Sequence, residues 1–247
     1  MEFEIQRNEL DNKGYGLFEN LIDEETLNSL KKIVDKNLEK NKDNSFFLTG
    51  ENLEKDLSEN TKLLDLIIQI FHFFSKKDGL KEFESRKIYK VLRVISKGKM
   101  YSNSYDFHFD AHHYTVLIPI YTPTSNEENY NGDLILMPNM RNKTNSIILN
   151  IIQKFFYQNK LTKVILKFLI NKRIIKKSFK IKLKPGNAYV FNGFRSLHCN
   201  QVVKNGLKRA TLLLHFYDLF ENSKIINFNR QIRQSLENKN IKKNINT

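Results

Sequence analysis

Four short apolar runs in the second half of the chain, each closed by turn-forming residues, limit the fold more than any other feature. They are Tyr114–Tyr121, Asn131–Pro138, Lys184–Phe191 and Arg209–Phe216. Each is too short for a core helix, and Gly132, Pro138, Pro185, Gly186 and Asn187 punctuate them. Short strands separated by Gly, Pro and Asn turns form the pattern of an antiparallel β-sandwich or jelly roll. Strands are expected from near residue 87 to 121 and again over 178–217.

Helices are expected on the N-terminal side. Residues 23–40 place Leu27, Leu30, Ile33 and Leu38 on or near one face, with Asp23 as the capping residue. Residues 58–76 are more apolar and so belong deeper in the core. The chain, at 247 residues, can bury a sizeable core as one unit. The expected organisation is a single domain over 1–247: helices within 14–86 pack on a core spanning 87–217, and a polar Asn/Lys-rich tail covers 221–247. A short helix is expected at Asn227–Glu237, before a disordered end. The lone cysteine, Cys199, excludes an intrachain disulfide and favours an intracellular setting. Met1–Arg7 has no basic-then-apolar signal pattern, and no apolar stretch reaches the ~18–20 residues of a span. A cytoplasmic location is the expectation.

The chemistry concentrates in His108, Asp110, His198 and Arg209. Two imidazoles and one carboxylate can hold one face of an octahedral iron(II) and leave the other face open. A guanidinium near the last ligand suits the far carboxylate of a two-carboxylate co-substrate, because its planar fork pairs with carboxylates through parallel hydrogen bonds. Lys208 competes with Arg209 for that role. Side chains alternate along a strand, so only one of the two points inward. Thr211, Leu213 and His215 accompany Arg209, whereas Ala210, Leu212, Leu214 and Phe216 accompany Lys208. The first set suits an anion pocket and the second suits a core, which places Arg209 ahead. Thr211 would then add a hydroxyl to the carboxylate.

These motifs, in this order, resemble the iron(II)/2-oxoglutarate-dependent oxygenase superfamily. Val91–Val94 through Tyr105–Asp110 resembles the first metal-binding strand of prolyl-4-hydroxylase-like members, including a Tyr three residues before the first His. Asn131–Leu134 resembles their glycine turn, and Pro185–Phe191 resembles the turn that leads to the distal His. The eleven-residue gap from His198 to Arg209 and the opening Gly14–Thr26 are more similar to the phytanoyl-CoA hydroxylase branch. The resemblance covers about residues 14–217. It implies a mainly β fold with flanking α-helices, a double-stranded β-helix (jelly roll, cupin-like). It implies Fe(II) on His108, Asp110 and His198, with 2-oxoglutarate as co-substrate on Arg209, Thr211 and Tyr105, Lys208 being the alternative partner. It also implies O2 as oxidant, ascorbate as an optional reductant, and release of succinate and carbon dioxide. Members that halogenate lack the carboxylate ligand, so Asp110 favours hydroxylation of an unactivated carbon, or a related desaturation or ring closure.

Charge distribution bears on the substrate. Residues 134–217 hold 17 Lys and Arg and no acid, which is more than the whole net charge of +14. An anionic partner near the site is expected. Within this stretch an apparent insertion, about residues 143–178, carries Ile147, Ile148, Ile151, Ile152, Phe155 and Phe156 at helical spacing. Leu161, Val164, Ile165, Phe168 and Leu169 repeat the pattern, with Lys154, Lys160, Lys163, Lys167, Lys172 and Arg173 between. Two basic amphipathic helices follow from this spacing. Two uses fit them: a lid on the jelly roll, or a surface resting on an anionic membrane at its inner face and admitting an amphiphilic substrate. The substrate classes compatible with this field are an anionic lipid, a lipid-linked glycan, a carrier-linked acyl group or another anionic small molecule. A prolyl-hydroxylase-like or other protein or nucleic-acid oxygenase is the alternative, and a metal-free binding jelly roll the third. Nucleic acid is disfavoured, since the demethylating branch carries a second Arg where His215 stands. His112, His113 and Arg141 are candidate substrate contacts, and His112 and His113 also read as partly exposed strand residues. His72 reads as a core-edge helix residue. Tyr101 is a weaker pocket residue than Tyr105. Cys199 falls on the strand face opposite His198 and reads as a small buried residue.

Overall fold

The computed structural model describes residues 3–42, 45–96, 104–124, 127, 130–143, 146–172 and 174–224. Tyr101, Arg173 and the helix expected at Asn227–Glu237 lie outside these residues. In chain order the elements are α1 (Glu4–Lys13), β1 (Tyr15–Phe18), α2 (Glu24–Lys40), β2 (Phe46–Thr49), α3 (Glu51–Asp56), α4 (Thr61–Lys77) and β3 (Tyr89–Ile95). They continue with β4 (His112–Tyr121), β5 (Leu134–Met137), α5 (Ile147–Gln158), α6 (Lys160–Asn171), β6 (Phe179–Ile181), β7 (Ala188–Phe191), β8 (Leu197–Asn200) and β9 (Arg209–Asp218). The major sheet runs β1-β7-β4-β9-β3-β2 and the minor sheet β6-β5-β8, with every pairing antiparallel. The two sheets form the expected double-stranded β-helix.

Alternation on β4 and β9 sorts side chains into two cores. Tyr114 lies opposite Phe216, and Thr115 opposite His215. One face presents Tyr114, Val116, Ile118, Ala210, Leu212, Leu214 and Phe216 to the helices, where they meet Leu30 and Val34 of α2 and Ile67, Phe71 and Phe74 of α4. Phe71 stacks on Phe216 with centroids 4.9 Å apart. Full burial of one such ring contributes about 1.5–3 kcal/mol. The other face presents Leu117, Leu213, Tyr189 and Phe191 to Leu134, Leu136 and Ile181 of the minor sheet. A third apolar layer covers the outside of the minor sheet, where Phe107, Phe109, Ile135, Met137, Leu197 and Cys199 meet Leu166, with Tyr157 and Ile170 packed alongside. The order is therefore helix, sheet, sheet, helix.

Helix α2 begins where expected, with the Asp23 carboxylate accepting from the Thr26 amide at 2.7 Å. Helix α4 spans Thr61–Lys77 and carries His72 edge-on to Phe83. The insertion forms two helices as expected, capped by Ser146 and Asn159. The stretch 14–86 is not wholly helical: it also supplies β1 and β2, four-residue edge strands too short for alternation to register. Helix α1 was not legible, because Leu10 is its sole buried residue and its turns are held by the i,i+4 pairs Arg7–Asp11 and Lys13–Glu9. None of the described helices is long and apolar enough to cross a membrane.

Asp78, at the end of α4, ties three elements together. Its carboxylate accepts from Arg7 of α1 at 2.7 Å, from His113 Nε2 of β4 at 3.0 Å, and from the Tyr114 hydroxyl. Burial alone would raise its pKa, but these donors outweigh burial and hold the carboxyl well below the usual range. A carboxylate depressed on folding stabilises above its unfolded value of 3.8, and that contribution is lost as pH falls towards the folded value. Asp78→Asn should cost on the order of 3 kcal/mol at pH 7. In urea melts the gap from wild type should narrow as pH drops below about 4; a gap independent of pH would show that charge is not what matters.

Candidate metal centre

Two backbone hydrogen bonds bring the candidate metal ligands together. The amides of His108 and His198 each donate to the other's carbonyl at 3.0 Å, extending the minor sheet beyond β8 by one bridge. This places the two imidazoles 4.4 Å apart. Asp110 is set by its own amide, which donates to the Gly193 carbonyl at 3.0 Å. The ligand atoms of His108, Asp110 and His198 all lie within 4.8 Å of one another.

Each ligand is oriented by a second contact. His108 Nδ1 faces the Asp106 carbonyl at 2.8 Å, and His198 Nδ1 faces the Ser196 carbonyl at 3.0 Å. A carbonyl accepts only, so both protons sit on Nδ1 and both Nε2 lone pairs are free for a metal. Those Nε2 atoms lie 3.8 and 3.5 Å from Asp110 Oδ1. The other carboxylate oxygen accepts from the Thr115 hydroxyl at 2.5 Å, and that hydroxyl meets His215 Nδ1 at 2.9 Å. Asp110 is thus split, with one oxygen tied to the strand and one facing the imidazoles. A Cβ on Gly193 would lie 2.3 Å from Asp110 Oδ2 and 2.5 Å from the Thr115 hydroxyl, so only glycine lets the carboxylate sit here.

The electrostatics match a cation site. Burial would raise Asp110, yet His198 and His215 hold its carboxyl well below the ordinary range. Burial works against a charged His198, but Asp110 raises it overall. Lost hydration and the neighbouring His198 push His108 down to about 4. Two imidazole nitrogens and a carboxylate oxygen, preoriented and close, fit a divalent transition metal.

Arg209 is on the interior face of β9, as alternation required, and is 3% exposed. Its Nε donates to the Gly132 carbonyl at 2.8 Å, and Nη1 lies 3.4 Å from the Thr211 hydroxyl. Gly132, at φ +64°, leaves room for this, since a Cβ there would lie 2.6 Å from Arg209 Cδ. Burial first, then Arg93, lowers the guanidinium pKa to about 9. No carboxylate pairs with Arg209 among the described residues. Lys208 faces away, bonded to Asp35 of α2 at 2.9 Å and lying over the Tyr121 ring. Tyr105 packs against Phe107 beneath Lys167, with no hydrogen bond to Arg209 or Thr211.

The remaining candidates divide. His112 stacks on both Tyr89 and His215, which also touch each other. His113 turns to Asp78 and is buried. Arg141 is buried with its guanidinium over Phe109 and Phe194. Cys199 is buried on the outer face, as expected. Thr115, Gly193 and the carbonyls of Asp106 and Ser196 carried no sequence signal, because each acts through a partner brought in by the fold.

No protein-family model matches the sequence, and no curated protein does. Solved structures do. EvdO2 from Micromonospora carbonacea var. aurantiaca superposes with a TM-score of 0.54 at 14% identity, over 86% of this chain and 90% of that one. The fold is that of the iron(II)/2-oxoglutarate oxygenases. The non-heme alpha-ketoglutarate-dependent epimerase SnoN from nogalamycin biosynthesis matches with a TM-score of 0.52 at 9% identity, over 88% and 83% of the chains. A Trichoplax adhaerens prolyl hydroxylase, solved with a hypoxia-inducible-factor peptide, matches with 0.51 at 14%, over 87% and 88%. EvdO2 has been solved with 2-oxoglutarate, and SnoN with Fe3+ and alpha-ketoglutarate.

Two variants test the orienting contacts. Thr115→Val removes the hydroxyl at Asp110 and should weaken Fe(II) or Co(II) binding about 10–100-fold, the usual effect of losing such a partner. Gly193→Ala should be at least as severe, because its methyl group displaces the carboxylate. Anaerobic metal titration reads both, and unchanged affinity in the pair would refute the arrangement.

Proposed function

We propose that this protein is an Fe(II)/2-oxoglutarate-dependent dioxygenase that hydroxylates an unactivated carbon of an anionic, amphiphilic substrate. The observation that carries the reading is the convergence of His108, Asp110 and His198, with Arg209 buried on the interior face of β9 and paired to no carboxylate among the described residues. Iron held by the triad would supply the coupling of 2-oxoglutarate decarboxylation to oxidation of a C–H bond. The residues of the chain do the rest. Thr115 and His215 hold Asp110 in one orientation. Arg209 offers buried donors to the far carboxylate of 2-oxoglutarate, and Thr211 stands beside it. Leu117, Leu213 and Leu136 line the space between the sheets and exclude water. Tyr105 remains a candidate co-substrate contact and ascorbate an optional reductant.

The amphiphilic part of the reading is supported by the insertion. Its inner face is spent on the minor sheet, yet its outer face is also apolar. Phe155 is 79% exposed, Ile148 72%, Leu161 71%, Val164 67% and Phe156 64%. So large an exposed apolar surface marks an interaction site. Lys160 and Lys167 on α6, and Lys172 just after it, are exposed. Apolar side chains flanked by lysines suit an anionic membrane surface. Helix α6 is also tied to the metal centre: Lys163 pairs with Asp106, whose carbonyl orients His108, and Lys167 lies over Tyr105. A docked insertion would therefore sit directly against the first ligand.

Purified protein with Fe(II), 2-oxoglutarate and O2 should release succinate, and His198→Ala should lose both iron and turnover. Arg209→Ala should raise the 2-oxoglutarate requirement sharply, as expected for a pair worth on the order of 2–5 kcal/mol, while iron binding holds. Lys208→Ala should leave that requirement unchanged; the reverse ranking would move the anion site to the other strand face.

Flotation tests the surface. Wild type should float with liposomes rich in phosphatidylglycerol at low salt and less so at high salt, since exposed charges are screened within about 10 Å at 0.1 M. Lys160→Glu with Lys172→Glu, or Phe155→Ser, should abolish flotation and keep the fold. No flotation of wild type at low salt would leave the insertion as a cover for the minor sheet alone.

A further inference from the structure

The molecule buries a second guanidinium beside the metal centre that the co-substrate does not need. Arg141 lies just beyond β5 and is 4% exposed. Its plane is held between two rings, 3.8 Å from the Phe194 centroid and 4.2 Å from that of Phe109. Nε donates to the Phe194 carbonyl at 2.5 Å, and Nη1 to the Asn150 side chain of α5 at 2.8 Å. Nη2 is buried and has no hydrogen-bond partner among the described residues. No carboxylate pairs with the group among those residues. Burial lowers its pKa to about 10, so it remains charged at neutral pH, and the one acid that offsets this is Asp110. A metal on Asp110 would take up that compensation.

A buried cation without a counter-ion costs several kcal/mol. Both faces of this guanidinium are covered and two of its three nitrogens are engaged. An acceptor that pairs with Nη2 must therefore lie in the plane of the group, as a single anionic oxygen can. The Phe194 carbonyl that takes Arg141 Nε follows directly on the Gly193 carbonyl that takes the Asp110 amide, so a group held here stands close to the metal ligands. Arg195 donates to the Arg141 carbonyl at 3.2 Å, and Lys143 and Arg195 both make their field felt at His113 nearby. This end of the molecule is cationic around a single buried, unpartnered donor.

We propose that Arg141 Nη2 binds a carboxylate or phosphate oxygen of the primary substrate and so sets which carbon faces the metal. The proposal rests on the oxygenase reading for its substrate class, but its test reads binding directly. Arg209 and Arg141 then divide two anions: the far end of 2-oxoglutarate at the first, the headgroup of the substrate at the second.

The experiment measures anaerobic binding of hexadecanoate, hexadecyl phosphate and hexadecanol by calorimetry, with succinate release in the absence of substrate as an independent assay. Wild type should bind at least one of the two anions about tenfold or more tighter than hexadecanol, and which anion wins identifies the headgroup. Arg141→Gln should erase that preference and leave succinate release and its 2-oxoglutarate requirement within about twofold, since those depend on Arg209. Arg141→Lys should retain part of the preference. An intact preference in Arg141→Gln, or a loss of affinity shared equally by charged and neutral chains, would make Arg141 a structural clamp for α5 and overturn the proposal. A raised 2-oxoglutarate requirement would overturn it too, by assigning Arg141 to the co-substrate. If Arg141→Gln does not fold, competition in wild type decides: inorganic phosphate or sulfate must displace the bound anion, and failure to do so rejects the site. Absence of succinate with anion preference intact would sink the oxygenase reading alone.

Discussion

The pairing of β4 with β9 is the constraint on which the rest depends. Both strands are ten residues long, and their register sets Thr115 against His215 and Tyr114 against Phe216. Because side chains alternate, one choice of register sends Tyr114, Val116, Leu212 and Leu214 to the helices and Thr115, Thr211, Arg209 and His215 to the interior. A slip of one residue would exchange Arg209 for Lys208 and put an aromatic ring where the Asp110 carboxylate is held. The helices α2 and α4 make such a slip costly, since Phe71, Phe74 and Ile67 are already packed on the first set.

On that frame the interior carries an unusual load of charge. At the candidate metal centre the charges answer one another: Asp110 lies among three histidines, and each is held by a hydroxyl or carbonyl. At Arg209 and Arg141 they do not. Both guanidiniums are buried, both are lowered by that burial, and neither touches a carboxylate among the described residues. Unpaired buried charge opposes folding, and the wide apolar layers on either side of both sheets offset it. Under the proposed reading the same imbalance prepares the interior for anions, since a donor already desolvated and fixed has no reorganisation left to undergo when a partner arrives.

The insertion shows how one sequence pattern serves two surfaces. Leu166, Tyr157 and Ile170 close over Phe107 and Phe109, outside the minor sheet, while Phe155, Phe156, Val164 and Phe168 face away. An apolar stripe used only for packing would be narrower. Its breadth is why helical periodicity identified two helices but left their role open between covering the sheet and meeting a membrane.

Much of the site was legible because its chemistry is local. His108 and Asp110 are two residues apart on an extended segment, Gly and Pro turns bracket each strand, and a period of two separates Arg209 from Lys208. Residue type and spacing therefore determined the triad, the strand pattern, the two insertion helices and the inward guanidinium. Helix α1 escaped notice since its ion pairs leave no apolar stripe, and β1 and β2 since four residues hold too little alternation. Tertiary structure alone decided that Thr115 would meet His215, a hundred residues away, across one oxygen of Asp110. It also decided that Gly193 would clear space for that carboxylate, that His113 would turn to Asp78, and that Arg141 would lie between Phe109 and Phe194. The physical reason is one of range: alternation and turn chemistry act over a few residues, whereas hydrogen bonds and ring contacts between distant segments exist only once sheet register has brought those segments together.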